Sequence, residues 1–264
     1  PYFEWVASEA AKRSDLNVLN HSLRLYDRYA YFLDEYEKKV QEANARKDER
    51  IRTQHSSNSW SVQMPYFDLK RESEWLAMSV IDAFFSFTEH VFIHAAILRG
   101  KVVTGEDVAN LADNEWASKF KACFDIQDQE TKSHYDQLVS IRRQIRNYIA
   151  HGAFGKNGEA FQIHSGAGAV PLLMPHQKGS ARFSMQSGIE FNEEEAIKVV
   201  KEFMEFYWES DMFPEVIYIQ SSMPTILHYA SDSTYARAMS STEDMESFVE
   251  YLTRLQEQSA NMDW

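Results

Sequence analysis

The sequence has little cysteine and no long uninterrupted apolar run. Both features limit the classes of protein to which it can belong. Cys123 is the single cysteine among 264 residues, so no disulfide can form within the chain, which favours a cytoplasmic location. The most apolar stretch, Trp75 to Leu98, is broken by Asp82, Glu89 and two histidines. It predicts a central buried helix rather than a membrane span, and no contact with a membrane is expected.

The chain also lacks a surplus of positive charge. Its formal net charge is −13, from 27 lysines and arginines against 40 aspartates and glutamates. This balance disfavours broad capture of nucleic acid, because such affinity comes from neutralising phosphates with lysine and arginine. Any nucleic-acid site must therefore be local. The densest cluster of arginines is Arg142, Arg143 and Arg146.

Apolar residues at helical spacing are abundant. Hydrophobic residues make up 44% of the chain, enough for a large core in one domain or two closely packed ones. Apolar stripes predict long helices at about Leu16 to Arg52, from Asp68 or Leu69 to Arg99, and at about Thr242 to Ser259. The predicted fold class is therefore mainly α.

Glycine is scarce except in one region. Seven of the nine glycines lie between residues 152 and 191, where AFQIHS, AVPLLM and ARFSM have the length and pattern of strands. We predict a small β-annex at about 159–191 and no strands in most of the chain. Residues 55–64 lack a period and are predicted to be a loop, whereas EVIYIQ within 211–240 suggests a strand.

The stretch from Lys132 to Gly152 combines an apolar helical face with a polar ending that packing does not require. Its apolar side repeats at spacings of three and four: Tyr135, Leu138, Ile141, Ile145, Tyr148 and Ile149. The other side carries the arginine cluster, then Asn147 and His151. Gly152 favours a helix end there, which would put His151 in the last turn, where the helix dipole stabilises its protonated form.

Arg146, Asn147 and His151 form the pattern Arg-Asn-x-x-x-His, which resembles the RxxxxH signature of the HEPN superfamily of helical RNA-cleaving domains. The resemblance covers this one helix, and the surrounding helical pattern agrees with it. It implies a HEPN-like helical bundle at 67–210 that includes the β-annex. The remaining segments would be an N-terminal helical extension at 1–66 and a C-terminal segment at 211–264, whose last helix packs on the core.

The resemblance implies a metal-independent endoribonuclease, related to toxin or defence systems, in which the RNA 2′-hydroxyl attacks the adjacent phosphorus. His151 would act as general base or acid, Arg146 would hold the non-bridging oxygens, and Asn147 would orient His151 or the phosphate. No cofactor or metal is expected. The flanking RNA would be bound by the remaining basic residues, Arg142, Arg143 and Lys156.

Two other interpretations of these residues stay open. A charged helix face ending in a histidine is an ordinary solvated surface in many proteins. Alternatively, the chain is a noncatalytic HEPN-like module that binds a protein or a nucleotide, which the net charge of −13 favours. The candidate partners are RNA, an antitoxin or a nucleotidyltransferase.

Three further residues could carry chemistry. His90 and His94 stand four apart, but the zincin pattern needs glutamate directly after the first histidine, and Val91 stands there. We therefore expect one buried, hydrogen-bonded histidine and one at an edge. Cys123 is expected to be a buried, inert thiol.

Five residues turn a helix by about 140°, so Arg146 and His151 of one straight helix diverge. Either the helix deforms at its end, or a second copy brings its own pair alongside. The resemblance implies the second answer, a homodimer through the 132–152 helix. Sedimentation equilibrium at micromolar concentrations should give the mass of two chains. The mass of one chain across the dilution series would contradict this prediction.

Overall fold

The computed structural model describes residues 2–151, 161–165, 168–172 and 192–262. Within them the fold is mainly α, as the apolar periodicity predicts. In chain order the elements are α1 (Tyr2–Ala11), β1 (Asn17–Val18), α2 (Ser22–Ala45), β2 (Ile51–Ser56), β3 (Ser59–Gln63), α3 (Pro65–Leu98), α4 (Gly105–Asp113), α5 (Trp116–Cys123), α6 (Gln129–His151), β4 (Phe161–Ser165), β5 (Gly168–Leu172), α7 (Glu193–Tyr207), α8 (Pro214–Gln220), β6 (Thr225–Ile226), α9 (Leu227–Ser231), α10 (Thr234–Ala238) and α11 (Thr242–Met262).

α3 is the central helix of the bundle. Pro65 occupies its first turn, where the missing N–H costs no helical hydrogen bond. Gly100 follows its end with φ of 66°, the left-handed conformation that glycine adopts without strain. α3 is long and apolar enough to cross a membrane, but 56% of its most apolar window is buried inside the protein. Such burial is typical of the core helix of a soluble protein.

Aromatic side chains fill the space around α3. α2 packs along it through the buried Tyr29 and Tyr36, while α5 and α7 pack on other sides. Phe92 of α3 lies at the middle of this cluster and contacts five rings from α5, α7 and the residue after α5: Trp116, Phe120, Phe124, Phe203 and Tyr207. The indole N–H of Trp116 donates to Thr88 Oγ1 at 2.9 Å, so its one polar group is satisfied.

α6 packs beside α5 and α7 and contacts α3 through Arg142. His134 in its second turn lies 4.6 Å from Phe206, near the end of α7, measured between ring centroids. Farther along, Arg142 pairs with Glu89 in the last third of α3. At the opposite end of α7, Glu193 Oε1 accepts from Lys70 Nζ of α3 at 2.8 Å. α3 and α7 therefore begin at the same end of the bundle.

The predicted loop at 55–64 is wrong, and so is the predicted extension of the preceding helix to Arg52. α2 ends at Ala45, and β2 and β3 form an antiparallel hairpin in which Ile51 pairs with Gln63 and Thr53 with Ser61. Every residue of both strands is exposed. β3 does alternate between polar and apolar residues, with Trp60 and Val62 between Ser59, Ser61 and Gln63, and the prediction of a loop overlooks this strand pattern. β2 carries no such alternation.

The predicted strand at EVIYIQ is also wrong, because this segment forms α8. Pro214 opens the helix, and Val216, Tyr218 and Ile219 are buried, so tertiary packing overrides the β propensity of the run. The short β1–β6 pair joins Val18 to Thr225. Strands therefore occur outside 159–191. Within that region β4 and β5 form a hairpin at AFQIHS and AVPLLM, as predicted, whereas ARFSM lies outside the described residues.

Candidate functional site

The motif lies at the end of α6. This helix ends at His151, which places Arg146, Asn147 and His151 in its last two turns, as the sequence predicts. The structure describes the backbone here but not the side chains of residues 146–151. Lys156 and Gly152 lie outside the described residues. The roles assigned to these residues stay predictions.

The apolar side of α6 faces the core, so its polar side faces outward. Leu138, Ile141 and Ile145 are buried, and Tyr135 packs on Phe120 with ring centroids 5.3 Å apart. These are the residues that the apolar stripe assigns to the core. The opposite side is left for the arginine cluster.

Arg142 lies on the edge between these two sides. Its Nη2 donates to Glu89 Oε1 of α3 at 2.8 Å, and its guanidinium lies 5.2 Å from the ring centroid of Phe85. Among the described residues its buried Nη1 has no hydrogen-bond partner. A buried donor without a partner carries a desolvation cost. Arg143, by contrast, is exposed.

Glu89 connects three helices. Its Oε2 lies 3.2 Å from Nζ of Lys119 in α5, while its Oε1 binds Arg142 of α6. Lys119 is only 4% exposed, so this carboxylate is its counter-ion in the interior. Two cations share one anion, which leaves this edge of an acidic protein locally positive. In the sequence, Glu89 stands out as a glutamate within the most apolar stretch, which indicates a buried ion pair. Its two partners could not be identified without the fold.

A chain of histidines joins α3 to β6 and to the start of α2. His94 is fully buried, with Nδ1 2.9 Å from Thr225 Oγ1 and Nε2 3.0 Å from His90 Nε2. His90 Nε2 also accepts the backbone N–H of His21 at 2.9 Å. Because that nitrogen is an acceptor, His94 must donate from Nε2 and accept from the Thr225 hydroxyl. One histidine is buried and the other lies at the edge, as expected.

These histidines are held in the neutral form. Burial lowers the pKa of His94 to about 3, and the neighbouring His90 lowers it further. Burial likewise lowers the pKa of His90 to about 4, with a smaller contribution from His21. Among the residues that the structure describes, no group of three or more His, Cys, Asp or Glu side chains could hold a metal ion. The described contacts give this chain of histidines a packing role.

The buried thiol is inert, as expected. Cys123 Sγ donates to the Phe92 carbonyl at 3.0 Å, and burial raises the pKa of the thiol. Beside it, Arg99 Nη2 pairs with the fully buried Glu215 at 2.5 Å and its Nη1 donates to the Cys123 carbonyl. These contacts tie α3 to α5 and α8 and leave no accessible nucleophile.

Two clefts of about 260 and 470 Å³ lie in the described part of the chain, and neither is lined by α6. Comparison with models of known protein families, with curated proteins and with solved structures finds no match. The resemblance to the HEPN superfamily therefore rests on Arg146, Asn147 and His151.

The histidine chain predicts that acid weakens the fold. Unfolded histidines take up protons below about pH 6.5, whereas His90 and His94 in the folded protein stay neutral down to about 4 and 3. The free energy of unfolding should therefore fall as pH drops below about 6.5, by about 1.4 kcal/mol per pH unit for each histidine. Urea unfolding between pH 7 and 5 measures this slope.

The variant His94→Gln isolates the contribution of one histidine. It should reduce the slope of the unfolding free energy against pH by about 1.4 kcal/mol per pH unit, whatever its effect on stability at pH 7. A constant m value across the pH series is the control for two-state unfolding. A wild-type slope in His94→Gln would show that this imidazole does not couple protonation to folding.

Proposed function

We propose that the protein is a cytoplasmic, metal-independent endoribonuclease of HEPN type whose active surface is the polar side of α6. The observation that supports it most is the position of Arg146, Asn147 and His151 in the last two turns of a helix whose opposite side is buried. A functional constellation on a helix anchored in this way is held by the core rather than by a loop.

The reaction follows from the residue types. The 2′-oxygen attacks phosphorus, the bond from phosphorus to the 5′-oxygen breaks, and the products carry a 2′,3′-cyclic phosphate and a 5′-hydroxyl. His151 accepts the 2′-hydroxyl proton or donates one to the leaving oxygen. Arg146 binds the non-bridging oxygens through its two-pronged guanidinium, and Asn147 orients His151 or the phosphate.

The edge of α6 supports a contact with phosphate. Within the described part of the chain, Arg142 and Lys119 share a single carboxylate partner, Glu89. The exposed Arg143 adds a mobile charge beside them. These residues and Lys156 would bind the RNA on either side of the scissile bond, by charge and without selecting sequence.

A noncatalytic module that binds a protein or a nucleotide is the second candidate. Two observations favour it: Arg142 already has a carboxylate partner, and the net charge of −13 repels most nucleic acid. An antitoxin or a nucleotidyltransferase would be the partner, in a toxin or defence system. The two candidates differ in one respect, since only catalysis requires Arg146 and His151 to meet at one phosphate.

Cleavage of RNA separates the two candidates. Wild-type protein in excess EDTA should cut single-stranded RNA or transfer RNA and leave 2′,3′-cyclic phosphate ends, because the nucleophile is the substrate's own hydroxyl. His151→Ala should lower the rate about 10² to 10⁴-fold by removing proton transfer. Arg146→Ala should cost about 10² to 10³-fold by removing charge stabilisation. End analysis and single-turnover rates measure both effects.

Matched controls guard against a contaminating ribonuclease and against misfolding. His228→Ala and Arg254→Ala remove the same side chains from exposed positions on α9 and α11 and should keep the wild-type rate. Equal rates for wild type and His151→Ala, or no cleavage across a broad panel of RNAs, would contradict catalysis and favour the binding module.

A further inference from the structure

The β2–β3 hairpin projects from the bundle with both of its faces exposed. A two-stranded hairpin is marginally stable in water, and this one displays Trp60, Val62 and Ile51 to solvent. Trp60 is 56% exposed even though the Arg52 guanidinium lies 4.2 Å from its ring centroid. The hairpin thus presents a flat aromatic and cationic surface on which no other described element packs.

The hairpin also differs from the rest of the chain in charge. Residues 50–67 contain two arginines and one histidine but no aspartate or glutamate, in a chain with 40 acidic residues. The other exposed side chains of the strands and turn carry amide or hydroxyl groups, with Gln54 and Asn58 among them. Such a surface attracts anions and offers many hydrogen-bonding groups.

A second surface of the same kind lies beside it on α3. Arg71 lies 5.8 Å from the ring centroid of Trp75, which is 57% exposed. Asp68 joins the two surfaces, because its Oδ2 accepts from Gln63 at the end of β3 at 3.3 Å and its Oδ1 accepts from Arg71 at 2.6 Å. The Asp68 carboxylate therefore holds the base of the hairpin and the Arg71 guanidinium in place relative to each other.

Both surfaces lie at the end of the bundle where α3 and α7 begin. Asp68 and Arg71 belong to the first two turns of α3, and Lys70 between them pairs with Glu193 at the start of α7.

We propose that the β2–β3 hairpin and the start of α3 bind single-stranded RNA, with bases stacked on Trp60 and Trp75 and phosphates held by Arg50 and Arg52. The choice of RNA rests on the proposed function. The hairpin site would be the place where that substrate first binds. A single strand is favoured over a duplex because only unstacked bases can lie on aromatic side chains. A protein partner is the competing occupant, since tryptophan and arginine are also enriched in protein interfaces. The lack of aspartate and glutamate in residues 50–67 favours a polyanion over such a partner.

Binding, rather than cleavage, tests this proposal. Fluorescence anisotropy with labelled homopolymers of about 12 nucleotides covers the site size expected for a strand on such a surface. All variants carry His151→Ala, so that the RNA stays intact. Trp60→Ala and Trp75→Ala should each weaken binding about 5-fold or more by removing a stacking surface. Arg52→Ala should weaken binding and reduce the salt dependence by about one phosphate contact, a slope change of about 0.7.

The controls remove the same side chains from other helices, α1 and α11. Trp5→Ala, at a tryptophan that is 61% exposed on α1, and Arg254→Ala should bind RNA as the parent protein does. All of the substituted side chains are exposed, so the urea midpoint should not change. Because binding and cleavage are measured separately, binding that depends on Trp60 without any cleavage would support the hairpin site and refute the ribonuclease.

Three results would overturn the proposal. The first is no binding of any homopolymer at micromolar protein. The second is equal affinity of the parent, Trp60→Ala and Arg52→Ala proteins, even if the wild type cleaves RNA. The third is loss of dimerisation in Trp60→Ala without loss of RNA affinity, which would assign the surface to a second copy of the chain.

Discussion

Burial of α3 is the constraint on which the rest of the structure depends. A helix of this length and apolarity must be covered on most of its surface, and α2, α5, α7 and α8 do so. Two charged side chains, Glu89 in α3 and Arg99 directly after it, have specific partners: Glu89 pairs with Lys119 and Arg142, and Arg99 pairs with Glu215. Loss of one partner leaves a charge with no compensation in the interior, so these pairs determine how the neighbouring helices are positioned.

The position of α6 follows from this constraint. Its apolar side packs on the bundle, and Arg142 binds α3 at the boundary between buried and exposed surface. The polar side then faces away from the core. A small basic surface on an acidic chain favours ligands that fit locally over those attracted by net charge.

Much of the helical fold could be predicted from the sequence because its signals are local. Apolar periodicity reveals α3 and α6, Thr104 closes a capping box with Asp107 at α4, and Asn192 caps α7 with its side chain. The hairpin was missed although Trp60 and Val62 alternate with polar residues in β3, because β2 shows no alternation and the strands bury nothing. α8 was mispredicted as a strand because its sequence is rich in β-branched residues. Its helical conformation depends on burial against distant elements.

The candidate site, too, could be predicted from the sequence only in part. The positions of Arg146, Asn147 and His151 at the end of α6 follow from periodicity and spacing within one helix. The pairing of Arg142 with Glu89, 53 residues away, depends on the tertiary fold, and so does the alignment of Arg71, Asp68 and Gln63 at the base of the hairpin. Sequence identifies charged residues, but it does not say which of them are already neutralised by a partner.

The central claim is that two copies of α6 build one catalytic cleft, with arginine from one chain and histidine from the other. Mixing Arg146→Ala protein with His151→Ala protein tests it most directly, since each variant alone should be inactive. A shared cleft predicts that exchange of subunits restores RNA cleavage, to about a quarter of the wild-type rate when half of the dimers are mixed and each holds one complete pair. A mixture as inactive as its two components, under conditions in which the subunits exchange, would contradict the shared cleft.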